Sequence, residues 1–578
     1  MLSLLGKRLL ATLPVILVVA IAVFMIVRLT PGDPAAIIGG NSATNEDLDR
    51  IRAQLGLTQP LWTQFATWAG HVLQGDLGFS YFLNKPVVAL IGQRIEPTLS
   101  LAIGTLVLAV AIALPLGTLA AWRMGGWLDK AVMAFSVAGF SVPVFVIGYV
   151  LIYLLAMKLQ WFPVQGYRRI GQGVGPWARQ LVLPCLTLAV TYVALLARVT
   201  RAAVSEALTE DYIRTARAKG IGERTVLSHH ALRNAAVPVV TVIGVSAALL
   251  LGGVVVTETV YAIPGLGQLT VDAVLNRSSS IPASGTEAMG TFHKLWRHGA
   301  VRGGTLVLLV LTLLGLMAPW LGTFDPSAMD ASFITVPAGT AGQVTLPDGS
   351  MVQHTFWMGS DSVGRDVWSR VLYGTRISLL VGVLTAFLAI ALGCTLGMVA
   401  GYFGAADAVL MRVMDGLMAI PAVLLAITLV AMLGASLPTV ILAIAVPEVP
   451  RVTRLVRALV IGLRDEPFVE AARALATSNA VILWRDILPN ALAPLIVQGT
   501  FIAASAVLTE AILSFLGLGL PAEVPTWGNI MAEGRVLFSQ APGNVLWPAL
   551  FLVPTVLAIN LLGDGLRDVL DPKFSKRS

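Results

Sequence analysis

The sequence predicts an all-α, polytopic membrane protein built from two homologous helical bundles, with about five transmembrane helices in the first and six in the second. Three observations predict this fold class. The 578 residues are 56% hydrophobic and only 12% charged, about half the charged fraction of soluble chains. Many stretches stay apolar for about 20 residues, enough to cross a hydrocarbon core of about 30 Å. Landmark residues of the first half also recur, in the same order, in the second half.

The apolar runs indicate where the spans lie, since only helices satisfy this many backbone groups in lipid. In the first half the predicted spans are Leu9–Leu29, Leu99–Ala121, Ala131–Met157, Leu181–Ala197 and Val237–Val256. In the second half they are Thr305–Leu321, Ile377–Gly401, Leu410–Leu433, Pro438–Val449, Leu492–Leu508 and Val545–Leu562. The first run exceeds the apolar core of a signal peptide and no cleavage pattern follows it, so we expect an uncleaved helix.

The net charge of +7 does not indicate a nucleic-acid partner. Lys and Arg cluster in short loops between apolar runs, as the positive-inside rule predicts for a protein embedded in membrane lipid. Cys185 and Cys394 both lie in apolar segments. They predict neither a disulfide framework nor a metal site.

The repeat is the most informative feature of the sequence. Residues 198–238 align without gaps onto residues 454–494 at an offset of 256, which pairs Arg201 with Arg457. Upstream, Asp129 and Pro143 recur as Asp407 and Pro421 at an offset of 278. Two copies of one bundle are therefore expected, and repeats of this kind typically enclose a transport pathway at their interface.

The repeat sets the domain boundaries. The first half covers residues 1–276, with an outer loop at about 30–96 and a cytoplasmic docking loop at about 198–236. A Ser-rich linker covers residues 277–301. The second half covers 302–578, with an outer loop at about 323–376 and a docking loop at about 451–491. Within the second outer loop, residues 337–343 and 347–349 predict turns and irregular structure.

The two polar docking loops predict short helices near 206–222 and 462–478, with small residues on one side and basic residues on the other. Small residues let a partner approach closely, and Arg pairs with carboxylates. A solvated basic loop is the alternative, but duplication at a fixed offset favours docking. The candidate docking residues are Tyr212, Arg214, Thr215, Ala216, Arg217 and Gly220 in the first segment and Phe468, Glu470, Ala471, Ala472, Arg473 and Ala476 in the second.

These segments resemble the hallmark of permeases of ATP-binding-cassette importers, which is E-A-A, three residues and then Gly. Glu470, Ala471 and Ala472 match the triplet, although Ala476 stands where Gly is usual, whereas the first copy keeps Gly220. Further motifs resemble the dipeptide/oligopeptide/nickel subfamily, with its two permease subunits fused in one chain. They lie at 29–34, 261–267, 359–370, 514–519 and 560–568.

The resemblance implies a bacterial inner-membrane permease that forms the pathway for peptides or similar small solutes. It implies that each docking loop binds one of two cytoplasmic ATPase subunits, and that an extracytoplasmic solute-binding protein delivers the solute. The sequence has no G-x-x-x-x-G-K-[ST] loop to hold ATP and no Ser/His/Asp or Cys/His arrangement. We therefore expect no enzymatic activity, no cofactor and no metal in this chain.

Three carboxylates lie within or beside apolar segments, where a charge is costly and suggests a function. Glu258 and Glu510 occupy equivalent repeat positions near the ends of the fifth helices, and Asp415 lies in the third span of the second half. For these residues we favour a structural role, in capping or gating, over direct contact with the solute.

The helix count poses a topological problem. With Met1 inside, five crossings leave residue 276 outside, and a crossing by Thr305–Leu321 then puts the second docking loop outside. The arginines of that loop favour the inside. A non-crossing Thr305–Leu321, an inverted second half or a fusion that lost one helix would each account for this, and we favour the last. The functional alternatives are an ion-gradient-driven transporter or channel, or a transport-incompetent fusion that still binds ATPases.

Overall fold

The computed structural model describes residues 44–54, 56–80, 85–267, 299–345 and 350–570, and positions 16, 17, 20, 21 and 24. The predicted span Leu9–Leu29 therefore lies almost wholly outside the described residues, as do residues 277–298 of the predicted linker. The described residues form two compact units. One comprises the described residues within 1–96 and 388–492, and the other those within 97–267, 299–387 and 493–570.

Helices dominate both halves of the sequence. The first half contains α1 (Asn45–Gln54), α2 (Leu61–Leu73), β1 (Phe79–Ser80), β2 (Lys85–Pro86), α3 (Val87–Trp122), α4 (Trp127–Ser141), α5 (Val144–Leu151), α6 (Val174–Leu208), α7 (Asp211–Ala218) and α8 (Leu232–Val260). The second half contains α9 (Gly299–Leu316), β3 (Thr340–Thr345), β4 (Met351–Phe356), α10 (Val367–Tyr402), α11 (Gly404–Ala419), α12 (Ala422–Leu433), α13 (Leu437–Leu463), α14 (Pro467–Ala474), α15 (Leu488–Phe515), α16 (Trp527–Gly534) and α17 (Gly543–Leu570). Matching π-helical turns, Val226–Ala231 and Ile482–Ile487, precede α8 and α15.

The predicted fold class is confirmed. In the described part of the chain, 6 helices are long and apolar enough to cross a membrane, or up to 8 if each of two bent pairs is one span. Most helices extend past the apolar runs that predict them, because their polar ends continue the same backbone hydrogen bonding. For this reason α3 already begins at Val87, within the predicted outer loop at about 30–96. The predicted docking helices are likewise too long, because α6 runs to Leu208 and α13 to Leu463.

Two spans that the sequence predicts as continuous are sharply bent. Ala131–Met157 is divided between α4 and α5 with a 107° bend, and Leu410–Leu433 between α11 and α12 with a 92° bend. Pro143 and Pro421 occupy the N-cap positions of α5 and α12. Proline lacks the N–H that would continue the helix and disfavours helical geometry in the residue before it. The repeated prolines therefore mark the bends.

Two other predicted spans have wrong boundaries. Pro438–Val449 is only the first part of α13, which continues to Leu463 through Pro447 and Pro450. Thr305–Leu321 begins earlier, at Gly299, and its helix ends at Leu316. A 3₁₀ turn follows at Ala318–Trp320.

The outer segment of the second half contains a β-hairpin. Strands β3 and β4 pair antiparallel, with Thr340 opposite Phe356 and Thr345 opposite Met351. The prediction of irregular structure for residues 337–343 is thus wrong from Thr340 onward, while residues 347–349 lie outside the described residues. Phe356 is fully buried and packs on Phe333, with ring centroids 5.0 Å apart.

Glycines allow close packing in the first unit. A Cβ at Gly393 would lie 2.5 Å from Val452 Cβ, and a Cβ at Gly397 would lie 2.6 Å from Val456 Cβ. Gly401 continues the stripe one turn further along α10, and its Cβ would lie 2.7 Å from Val460 Cβ. Small residues at this spacing let membrane helices approach closely. They explain how α10 packs along α13.

In the second unit, α9 packs along α17. A Cβ at Gly304 would lie 2.6 Å from the carbonyl oxygen of Ala558. At the other end of α9, Arg376 donates hydrogen bonds to the carbonyl oxygens of Gly315 (2.6 Å) and Leu316 (3.0 Å). These bonds satisfy terminal carbonyls that have no partner within the helix. The first turns of α9 thus lie beside the last turns of α17, and its end lies beside the start of α10.

Candidate docking and transport site

The first docking helix, α7, is anchored by one apolar face. Ile213 is fully buried and Ala216 is buried on the same side. They belong to a hydrophobic cluster with residues from the end of α3, the end of α6, the π-helical turn before α8 and the start of α8, namely Ala121, Val204, Ala207, Val226, Ala231 and Ala235. The helix therefore rests on the ends of three longer helices.

The second docking helix, α14, has the same arrangement. Val469 occupies the repeat position of Ile213 and is also fully buried. Ala472, at the position of Ala216, is half-buried. Neither Ile213 nor Val469 is among the residues predicted from the sequence, although an apolar residue at the same offset in both loops was the signal for them.

Most of the predicted docking residues lie on the outward face. Exposed are Tyr212, Arg214, Thr215, Arg217 and Gly220 in the first segment and Phe468, Glu470, Ala471, Arg473 and Ala476 in the second. Ala216 and Ala472 are the exceptions, because Ala216 packs inside the cluster described above and Ala472 is half-buried. Each helix presents one exposed aromatic ring, Tyr212 or Phe468, beside charged and small residues. An apolar anchor with a polar rim is the usual composition of a protein interface.

Both docking helices end in the same backbone motif. After α7, the amide of Gly220 donates to the carbonyl of Arg217 (2.9 Å) and the amide of Ile221 donates to the carbonyl of Ala216 (3.2 Å). This is a Schellman motif, whose C′ residue adopts left-handed geometry. Gly220 has φ +77°, and the equivalent Ala476 has φ +56°. The glycine of the hallmark thus meets a backbone requirement that Ala476 satisfies only with strain.

The last arginine of each docking helix makes different side-chain contacts in the two halves. Arg217 donates two hydrogen bonds to the Glu223 carboxylate, at 2.7 and 3.2 Å. The pKa of Arg217 is raised, chiefly by this hydrogen bond. Its counterpart Arg473 lies over the ring of Tyr402, 5.1 Å from the centroid, and Tyr402 donates to Asn479 at 2.9 Å. Asn479 occupies the repeat position of Glu223.

An Asp–Arg pair recurs beside each docking loop. Arg201 Nε donates to Asp129 Oδ1 at 2.9 Å, and Arg201 Nη2 donates to Asp129 Oδ2 at 2.8 Å. Arg457 binds Asp407 in the same two-point geometry, with Nη2 2.6 Å from Oδ2. All four residues are repeat landmarks in the sequence, but the repeat alone does not predict that they pair. Each pair joins the start of a bent span to the helix that leads into a docking helix.

Glu258 and Glu510 are fully buried, each at the last turns of a long helix. Thr98 donates to Glu258 Oε1 at 2.6 Å and accepts a hydrogen bond from the amide of Leu266 at 2.9 Å. Ser514 donates to Glu510 Oε1 at 2.8 Å. In the first half, Glu258 and Thr98 thus connect the end of α8 to α3 and to the turn after α8. The predicted capping or gating role remains a proposal for both glutamates.

Buried charges hold the outer segment of the second half in place. Asp361 accepts from Arg365 Nε at 2.6 Å and from Arg370 Nη1 at 3.1 Å. Both arginines also pair with Glu533 of α16. Burial raises the pKa of Glu533, and the two arginines oppose that shift. The motif at 359–370 therefore fastens the segment after the hairpin to α16.

An aromatic cluster joins residues of the two halves within the second unit. Phe145 of α5 stacks on Phe515 of α15 with ring centroids 4.7 Å apart. Tyr149 lies 5.8 Å from Phe515 and 4.7 Å from Phe538. All four rings are buried. They form a closed apolar contact where the two repeats meet.

Comparison with known proteins agrees with the repeat. The family model of the binding-protein-dependent transport system inner membrane component matches residues 113–321 and again residues 389–576. The model for the N-terminal region of such membrane components matches residues 1–102. The two separate matches correspond to the two predicted copies.

Single-permease relatives each match about half of the chain. The probable peptide ABC transporter permease protein y4tP of Sinorhizobium fredii is 52% identical over 275 residues, which are 48% of this chain and 88% of the relative. The probable peptide ABC transporter permease protein y4tQ of the same organism is 45% identical over 302 residues, 52% of this chain and 98% of the relative. A putative peptide transport system permease protein of Brucella abortus is 43% identical over 284 residues, 49% of this chain and 91% of the relative. The chain therefore belongs to the inner-membrane permease components of binding-protein-dependent, ATP-binding-cassette transport systems, and it carries two permease copies in one polypeptide.

Proposed function

We propose that this chain forms the complete membrane pathway of an importer for peptides or similar small solutes, with α7 and α14 each docking one cytoplasmic ATPase subunit. One observation carries the proposal: both docking helices expose an aromatic and charged face, while Ile213 or Val469 fixes the opposite face to the protein. A solvated loop needs no such anchor. The relatives y4tP and y4tQ are named as probable peptide permeases, which supports the solute class.

The anchored helices suit the transmission of force. When two ATPase subunits close on ATP, each pulls its docking helix, and the buried cluster around Ile213 moves with it. The Asp129–Arg201 pair links that movement to α4, the first segment of a bent span. ATP hydrolysis is assigned to the partner subunits, and solute delivery to a solute-binding protein at the outer segments. The domain boundaries at 276 and 302 and the linker between them are part of this proposal.

The path of α9 bears on the sidedness problem. Its first turns lie beside the end of α17 and its last turns beside the start of α10, which supports a full crossing rather than a non-crossing segment. If α9, α10, the α11–α12 pair and α13 each cross once, α14 lies on the side where α9 begins. We propose that this side is the cytoplasm, as the arginines of the second docking loop favour. With Met1 and α7 also in the cytoplasm, this proposal requires the chain to return to the cytoplasmic side between α8 and α9.

Site-specific crosslinking tests the docking assignment. A photo-crosslinking amino acid is placed at Tyr212 or at Phe468, and the chain is expressed together with its ATPase subunits. Each position should give adducts that contain peptides of an ATPase subunit, which is identified by its phosphate-binding loop. The same residue at Trp320, exposed and remote from both loops in sequence, is the control. Adducts from only one docking position would contradict the two-ATPase model. Adducts from both without solute uptake in proteoliposomes would instead identify a fusion that binds ATPases but does not transport.

A further inference from the structure

The aromatic cluster of Phe145, Tyr149, Phe515 and Phe538 joins the two halves at points where helices begin or end. Phe145 is the second residue of α5 and follows the 107° bend, Phe515 is the last residue of α15, and Phe538 lies beyond the end of α16. We infer that this cluster is the closed outer gate of the transport pathway, and that the rings of Phe145 and Phe515 must separate before a solute can pass. The inference rests on the proposed importer function and identifies the residues that block its pathway.

A cavity lies on one side of this cluster, enclosed by α4, α6, α15 and α17 within the second unit. Its volume is about 580 Å³. On α4 its described lining ends at Ser141, shortly before Phe145 in the chain. On α15 the lining ends at Leu508, about 10 Å of helix before Phe515. In the proposed topology α4 and α15 both run outward from the cytoplasm, so the cavity lies on the cytoplasmic side of the rings.

Polar groups lie on the other side of the cluster. Arg535 is half-buried and its guanidinium lies over the ring of Phe515, 5.4 Å from the centroid. It also donates to the carbonyl of Phe515 at 2.7 Å. A charged side chain at membrane depth normally pairs with another charge or faces a water pathway, and Arg535 directly follows α16, which is fastened to the outer segment through Glu533. The rings therefore separate the cavity from the polar outer segment.

The rings themselves exclude water. Phe145 and Phe515 are fully buried, and Tyr149 and Phe538 are each only 5% exposed. An apolar constriction of this kind closes a pathway because water and polar solutes do not enter it. The stacking of Phe145 on Phe515, with centroids 4.7 Å apart, is the central contact of this constriction. It joins a helix of the first half to a helix of the second, and such interfaces between repeats are where transport pathways lie.

The repeat distinguishes this contact from ordinary core packing. The offset of 278 in the sequence pairs Phe145 with Val423, and the offset of 252 that relates the two buried glutamates pairs Phe515 with Ile263. Rings that only filled the core of a bundle would be needed in both copies. Aliphatic residues at both counterpart positions show that the bundle itself does not require them. The aromatic rings therefore serve the contact between the halves.

Removal of the rings should open a leak. Proteoliposomes that contain the chain with its ATPase subunits, but neither ATP nor the solute-binding protein, are exposed to radiolabelled trialanine. Phe145→Ala combined with Phe515→Ala should raise the entry of trialanine several-fold, because the cavity then continues to the outer side. The matched control is Phe333→Ala combined with Phe356→Ala, which removes a ring contact of 5.0 Å within the outer segment of the second half and should leave entry unchanged.

Wild-type entry in the Phe145→Ala, Phe515→Ala variant would overturn the inference. An equal rise in the control variant would also overturn it, because lost stability rather than an opened pathway would then be the cause. Co-purification of the ATPase subunits with each variant checks that the complex is assembled.

A crosslink tests the same contact in the opposite direction. Phe145→Cys and Phe515→Cys are introduced together into a chain in which Cys185 and Cys394 are replaced, and a short, reducible bifunctional thiol reagent joins them. ATP-driven uptake of trialanine, now with the solute-binding protein present, should be lost on crosslinking and should return on reduction. Its return shows that the loss is not caused by misfolding. The same crosslink between Phe333→Cys and Phe356→Cys should leave uptake intact.

Full uptake by the sample linked between positions 145 and 515, with the link verified by mass spectrometry, would overturn the inference and leave the importer function intact. Failure of these two cysteines to link in the resting complex would overturn it as well, since the closed gate requires their contact. A wild-type complex that transports no trialanine would instead overturn the proposed function, and the gate assignment with it.

Discussion

The guanidinium of Arg201 binds the Asp129 carboxylate through two hydrogen bonds, and this contact ties the start of α4 to the last turns of α6. Arg457 and Asp407 form the same contact between α13 and α11. In both halves the arginine stands ten residues or fewer before the docking helix, on the helix that leads into it. The pair is therefore placed to couple the docking loop to the bent span.

Breaking this contact should destabilise the bundle. Asp129→Asn removes the charge partner of a partly buried arginine, and we expect a loss of about 1–3 kcal/mol in unfolding free energy. The melting temperature of the detergent-purified protein measures the effect. Exchanging the pair, with Asp129→Arg and Arg201→Asp together, should recover part of the loss. If the exchanged pair is no better than Asp129→Asn alone, the two residues do not act through each other.

Ala476→Gly should stabilise the second docking loop. Ala476 has φ +56°, a conformation that costs an L-residue about 1 kcal/mol and costs glycine much less. Gly220→Ala, at the equivalent position, should destabilise the first loop by a similar amount. Proteolysis rates of the two loops measure both changes. Ala474→Gly, at the last helical residue of α14, is the matched control and should destabilise. Stabilisation by both glycines would mean that left-handed geometry is not the cause.

Substituting a buried anchor residue should have a different effect from substituting an exposed residue of the docking surface. Ile213→Ala removes a fully buried side chain and should cost about 2–4 kcal/mol of stability. Tyr212→Ala removes an exposed ring and should change stability by no more than about 0.5 kcal/mol, yet weaken ATPase binding. Thermal melting and ATPase co-purification, measured on both variants, distinguish the two roles. Unchanged ATPase binding in Tyr212→Ala would remove that ring from the interface.

The glycine stripe of α10 should not tolerate side chains. A Cβ at Gly397 would lie 2.6 Å from Val456 Cβ and 2.7 Å from the carbonyl oxygen of Thr453. Gly397→Leu should therefore separate α10 from α13 and cost about 1–3 kcal/mol. Gly462→Leu is the control, because nothing lies within 4 Å of a Cβ at that position. Comparable yields of folded protein for the two variants would contradict the packing.

The sequence predicted the fold class and the presence of the short helices α7 and α14 because both depend on local pattern and on the repeat. It did not predict the bends in two spans, since an apolar run continues across them and only Pro143 and Pro421 mark the break. It missed β3 because Thr340–Thr345 is rich in Gly, Ala and Thr and lacks a regular apolar alternation. The Asp129–Arg201 pair was missed because its members are 72 residues apart, and distance along the chain conceals contacts made by packing.

The exposed residues of the candidate site were predicted, but the buried residues that hold the two helices in place were missed. Small and basic residues marked the docking helices, whereas the anchors Ile213 and Val469 are single apolar residues with no pattern of their own. The same limit applied to the contact between Arg454 and Asp415 at 2.5 Å, which only the three-dimensional structure reveals.

The central claim is that both docking helices of this one chain face the cytoplasm. Single cysteines test this claim in a chain in which Cys185 and Cys394 are replaced. They are introduced as Ala218→Cys in α7 and Ala474→Cys in α14, since both positions are exposed. Gln343→Cys on the outer hairpin serves as the accessible control. Cells with a permeabilised outer membrane are treated with an impermeant maleimide. We predict labelling at position 343 alone, with positions 218 and 474 protected until the inner membrane is breached. Labelling at position 474 in cells with an intact inner membrane would contradict the model of one chain that engages two ATPases.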